Sequence, residues 1–160
     1  MSRALIVGVA LLVACGITSP VLAQQDPHFG TWKLNVMKST TNKAAPKDAI
    51  RTYEPFEGDG VRLTSVTVDG HGKRTTGGFS AHFDGKEYSA TGDITYDTMV
   101  LKRIDPYTWE STMKKRGKFV ETVTNVVSQD GKTMTTTATS AKGKGAGGKP
   151  VDRIGVWEKQ

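Results

Sequence analysis

Turn signals recur along this chain at near-regular intervals, and they constrain its fold more than any other feature. Gly58-Asp59-Gly60, Asp69-Gly70-His71-Gly72, Asp84-Gly85, Gly92-Asp93, Asp105-Pro106, Arg116-Gly117 and Asp130-Gly131 separate short runs rich in Val, Thr, Ile, Tyr, Phe and Trp. Asp-Gly pairs suit tight hairpins because both central residues can take positive φ, while β-branched and aromatic runs favour pleated strands. No helical periodicity long enough to interrupt this meander is present. Nine or ten strands are expected, over 30–36, 49–56, 61–68, 74–83, 86–90, 98–104, 107–115, 118–128, 132–140 and 151–159. An open sheet of that size exposes its edges and curls. The expected architecture is therefore all-β, a closed up-and-down antiparallel barrel of about 8–10 strands.

The first residues read as targeting. Met1-Ser2-Arg3 is a short basic segment, Ala4 to Thr18 is apolar but too short to span a bilayer, and Ser19-Pro20-Val21-Leu22-Ala23 supplies small residues before Gln24. This pattern predicts a secretory signal over 1–23 and a single domain over 24–160, located in a periplasm or outside the cell. Leu12-Val13-Ala14-Cys15 also resembles a bacterial lipobox, and membrane association is expected only if Cys15 carries lipid. Cys15 is the one cysteine, so the mature domain has no internal disulfide and depends on its core.

The chain carries a formal net charge of +6. Lys114, Lys115, Arg116 and Lys118 surround one hairpin and Lys142, Lys144 and Lys149 another, so the excess reads as scattered. Lysines at edges and turns keep a β-protein soluble; the other reading is attraction to an anionic envelope or nucleic acid. Aromatics do not interleave with these lysines as a nucleic-acid platform requires, so no nucleic-acid partner is expected, and the domain is expected to be a monomer.

Strand phase selects the residues that face the interior. Tyr107, Trp109, Ser111 and Met113 alternate with polar neighbours. Trp32, Leu34 and Val36 share a face, as do Phe79, Ala81 and Phe83, with His82 opposite. Met99, Leu101 and Arg103 share another, and so do Arg153, Gly155 and Trp157. Phe119 to Ser128 and Val61 to Val68 alternate poorly, which suggests bulges or packing on both faces.

Phe29-Gly30-Thr31-Trp32-Lys33-Leu34 opens the mature domain and Val156-Trp157-Glu158-Lys159 closes it. The pair resembles the calycin group, lipocalins and fatty-acid-binding proteins. The mature chain as a whole resembles bacterial secreted lipocalin-like proteins, with their Gly-Thr-Trp-Lys-Leu-Asn start, Asp-Gly-Lys turns, Leu-Lys-Arg-Ile-Asp strand and Trp-Glu-Lys end. The resemblance implies that first and last strands pair, that Trp32 plugs one end near the seam, and that a cavity takes a small apolar or amphipathic ligand. The chain departs from fatty-acid-binding proteins in two places. Met37 to Asp48 is too short for their two-helix lid. Gly155 and Trp157 stand where their Arg-x-Tyr carboxylate anchor would be, with Arg153 one pleat earlier.

No catalytic constellation emerges. His28 falls in the N-terminal tail, His71 at a hairpin tip and His82 on an outer face, without a nucleophile elbow, paired inward carboxylates or metal spacing. Gly143 to Lys149 approaches a phosphate loop, but Pro150 takes the place of the hydroxyl residue and a strand follows. The expectation is a non-enzymatic barrel without metal or cofactor. It binds its ligand through Arg103, Arg153, Trp109, Tyr107, Met99 and Leu101, or else is a filled barrel that works through its outer surface. Each arginine reads as an anion contact or as a side chain snorkelling to water at a barrel mouth.

Overall fold

The computed structural model describes residues 25–42, 44–92, 94–140 and 151–160; the signal segment through Ala23 with Cys15, the cleavage at Gln24, and Lys142, Lys144 and Lys149 lie outside the described residues. Its strands are β1 (Gly30–Leu34), β2 (Thr40–Thr41), β3 (Asp48–Phe56), β4 (Gly60–Val68), β5 (Arg74–Ala81), β6 (Glu87–Gly92), β7 (Thr98–Asp105), β8 (Thr108–Lys115), β9 (Lys118–Val127), β10 (Thr133–Ser140) and β11 (Val151–Lys159), with one 3-10 turn at Val36–Lys38. Each turn signal of the sequence falls between strands or at a strand end.

Neighbouring strands pair antiparallel in chain order, and β1 pairs with β11, so ten strands close an up-and-down barrel and β2 adds one short extra strand. The closing ladder sets Trp32 opposite Lys159 and Leu34 opposite Trp157. Beyond Leu34 the first strand breaks at the 3-10 turn, capped by the Asn35 side chain, which accepts from the Lys38 N–H. The chain rejoins the β11 edge as β2, with Thr40 and Thr41 opposite Ile154 and Arg153. The expected strand 30–36 thus ends at Leu34, and Val36 belongs to the 3-10 turn rather than to the face of Trp32 and Leu34.

In a meander, successive turns alternate between the two ends of the barrel. The turns after β3, β5, β7 and β9 gather at one end with the N-terminal segment; those after β4, β6 and β8 gather at the other with the start of β3. Trp32, Val61, Ala81, Met99, Leu101, Trp109, Val123, Val127 and Met134 fill the interior between them, each with at most 3 % of its surface exposed. Near the second end the inward positions of β4 and β5 become Ser65, Thr67 and Thr75, which explains the poor alternation of 61–68 without any bulge, since β4 keeps unbroken register on both sides.

The poor alternation of 119–128 has the other cause. Met113 faces Glu121 and Lys114 faces Phe119, so Val120 is an extra residue in β9. One inserted residue reverses the phase of everything beyond it. Glu121, Val123, Asn125 and Val127 point inward, while Phe119 turns outward and stays 46 % exposed. A similar bulge between β7 and β8 leaves Ile104 outside.

Candidate functional site

The two ends of the barrel are finished differently. The first is closed by the residues just before β1. Asp26 accepts hydrogen bonds from the His28 N–H (2.9 Å) and from Arg103, and its carboxylate lies 2.9 Å from His28 Nδ1. The His28 ring is fully buried and stacks on Trp109, with centroids 4.0 Å apart. Its carbonyl accepts from Trp32 Nε1 at 2.7 Å. The Arg103 guanidinium lies 4.0 Å from the Phe83 ring centroid and 5.0 Å from that of Trp109. Lys159 Nζ donates to the Pro27 carbonyl from the last strand. A short tail thus supplies both a ring and a carboxylate to the barrel floor. Burial alone would raise the Asp26 pKa, but the hydrogen bonds from His28 and Arg103 outweigh it and hold the carboxyl below its ordinary 3.8.

The second end is a mouth lined by charge. Arg51, inward on β3, places its guanidinium 4.3 Å from the Trp157 ring centroid. Trp157 Nε1 donates to Thr136 Oγ1 at 3.0 Å. Gly155 makes this arrangement possible: a Cβ there would sit 2.7 Å from Thr136 Oγ1 and 2.9 Å from Trp157 Nε1. Arg153 makes a two-pronged pair with Glu121, at 2.7 and 3.1 Å, and Glu121 is buried by it. Tyr96, from the segment between β6 and β7, lies within the field of Arg51, Glu121 and Arg153; burial raises its phenol pKa and the positive charge of Arg51 partly opposes this. Beside it, Ile94 occupies the space a side chain at Gly77 would need.

Arg51 differs from the other inward cations. Arg103 has Asp26 and Arg153 has Glu121, whereas no described residue forms an ion pair or hydrogen bond with the Arg51 side chain, and its Nε is buried without a partner. Two guanidiniums against one carboxylate leave one uncompensated positive charge in the half-buried mouth. Such a charge attracts an anion more strongly than it would in open water, because the local dielectric is lower.

Of the residues singled out from sequence, Arg103 and Trp109 meet at the closed end, with Tyr107 half-buried in the adjacent turn, while Arg153 stands at the mouth. Met99 and Leu101 have no exposed surface and Trp109 has 1 %, so all three act as packing in this structure. Asp26 takes Arg103 Nη2, while Arg103 Nη1 is buried without a partner. Sequence reasoning did not single out Arg51, Glu121 or Asp26 as site residues. For Arg51 the signal was available: Ala49, Arg51 and Tyr53 alternate inward, just as Trp32 and Leu34 do. His28 is no free tail residue, and its position on Trp109 had no sequence signal.

Among the described residues no group of His, Cys, Asp and Glu is placed to hold a metal ion. A shallow depression of about 650 Å³ lies on the outer wall over Thr64, Gly78 and Thr91, where β5 and β6 pair through three residues only; Arg62 is the sole charged group among its described lining residues. Compared with protein-family models, curated proteins and solved structures, the chain matches none.

Proposed function

We propose that this protein is a non-enzymatic binding protein that takes a small amphipathic acid at the mouth of its barrel. The acidic head sits on Arg51, next to the Arg153–Glu121 pair and the Tyr96 hydroxyl, and the apolar part lies against Trp157 and its neighbours. The observation that carries this reading is the unpartnered Arg51 guanidinium held over Trp157. The contacts expected from strand phase at Met99, Leu101 and Trp109 give way to a shallower seat, because these side chains already fill the depth of the barrel. Secretion through the 1–23 segment fits the same reading, as a carrier or scavenger outside the cytoplasm.

The test is a pair of fluorescent probes of equal length, dansyl undecanoic acid and its methyl ester. The acid should bind more tightly. Arg51→Met should remove that preference, by roughly the 1.5–3 kcal/mol of a charged hydrogen bond, while changing the ester little. Equal loss for both probes assigns Arg51 to packing. A second reading, a filled barrel working through its outer wall, is favoured by the same enclosed Met99 and Leu101; it wins if neither probe binds the folded protein.

A further inference from the structure

The cations that look scattered along the sequence are gathered by the topology. The mouth end takes the turns after β4, β6 and β8, and there Lys47, Arg74, Arg116 and Lys118 are exposed with side chains that pair with no acid among the described residues, against Asp69 and Asp97 in the same turns. The Arg116-Gly117 turn holds both residues at positive φ, 50° and 72°, and the Asp97 carboxylate accepts the Arg116 N–H (2.9 Å), which fixes this basic tip in place. The closed end has the opposite character. Its turns present Glu57, Asp59, Asp84, Asp105 and Asp130 against Lys86 and Lys132. Among the described residues the barrel is therefore polarised along its axis, basic at the mouth and acidic at the floor.

Phe119 adds an apolar element to the basic rim. The bulge at Val120 turns it out of the barrel, 46 % exposed, one residue after Lys118. An aromatic ring beside cations on a rim suits an interface that is anionic at its surface and apolar just beneath. A polyanion uses the cations but has no apolar layer to receive Phe119.

We infer that the barrel docks mouth-first on an anionic lipid surface through Lys47, Arg74, Arg116, Lys118 and Phe119. This attachment needs no lipid on Cys15, and it holds or fails independently of ligand binding at Arg51. The acidic floor orients the approach, since the same surface repels it.

The experiment uses the full mature chain and sedimentation with vesicles of phosphatidylglycerol in phosphatidylcholine. Two double variants change net charge equally at opposite ends of the barrel: Arg74→Glu with Lys118→Glu at the mouth, and Lys86→Glu with Lys132→Glu at the floor. Each cation near the surface is worth about fivefold in partitioning, so removing both mouth cations costs about 25-fold, reversing them in the Glu pair costs more, and the floor pair should lose much less. The milder Arg74→Gln with Lys118→Gln should lose an intermediate amount, and far-UV circular dichroism checks that each variant keeps its strands. Phe119→Ser should lose several-fold in a way that added salt does not abolish. Equal loss from both ends overturns the inference in favour of net charge alone. Binding to heparin as tight as to vesicles, with no Phe119 effect, overturns it in favour of a polyanion. Equal binding to pure phosphatidylcholine overturns it as well.

Discussion

The floor and the mouth of this barrel are built from the same parts and differ in one. Each holds an inward arginine over a tryptophan: Arg103 by Trp109, and Arg51 by Trp157. At the floor the chain supplies the anion itself, as Asp26, along with the His28 ring that completes the stack. At the mouth the neighbouring carboxylate, Glu121, is engaged by Arg153, and Arg51 is left without one. At the floor the chain itself thus places a ring on the tryptophan and a carboxylate on the arginine, the two groups that the proposed ligand would bring to the mouth. That is the shape of a small amphipathic acid.

The comparison can be broken first at the floor. Trp109→Ala should destabilise by about 3–5 kcal/mol in urea unfolding, since its ring packs against His28, Tyr53 and Phe83. Trp32→Ala, which also frees the His28 carbonyl, belongs in the same range. A melting temperature unchanged by either would show that the floor is not a packed unit.

The next effect separates the two arginines by binding. Arg51→Met should abolish the preference for an acid over its ester, whereas Arg103→Met should leave it intact and lower stability instead. If Arg103→Met reduces acid binding as much as Arg51→Met does, the two ends are not distinct.

Acid titration sharpens the floor further. The Asp26 carboxyl is held below 3.8 in the folded state, so its stabilisation is complete above that pH and is lost as pH falls from there through the lower folded value. Asp26→Asn should cost about 2 kcal/mol near neutral pH and should flatten the loss of stability below pH 3.8. An Asn variant with the parent's acid profile would show that other carboxyls carry it.

The smallest effect concerns the mouth. Burial raises the Tyr96 pKa above 10.0, so folding weakens as pH rises past that point, and Tyr96→Phe should show a shallower alkaline fall. An identical fall would place the phenol in water.

The strands were legible because hairpin chemistry is local: each Asp-Gly or Gly-Asp signal marks a chain reversal without reference to anything distant. Closure was legible too, since the length of the meander left few other ways to hide its edges. The charged pairs were not. Glu121 sits on a strand whose phase is reversed by one inserted residue, Val120; the poor alternation of 119–128 pointed to a bulge but not to the residue at which it falls. Asp26 and His28 precede the first strand, where no periodicity exists to assign them a side. The polarity of the two ends was hidden for another reason. Lys118 and Arg74 are far apart in the chain, and only alternation of turns brings them to one rim.

The broken first strand gives the barrel the mechanics of a split ring. β1 holds β11 through three residue pairs and β2 through two more, while β3 runs on past β1 at Asp48 and Ala49 with no ladder on that side among the described residues. Widening the mouth there breaks no ladder among the described residues, because β2 is held to β11 alone, whereas every other wall must part paired strands. Amide protons of Thr40 and Thr41 should exchange with solvent well before those of β8 to β10. On the proposed function a guest would pass through that gap, so tightening it should slow arrival and departure together and leave the equilibrium between them nearly unchanged.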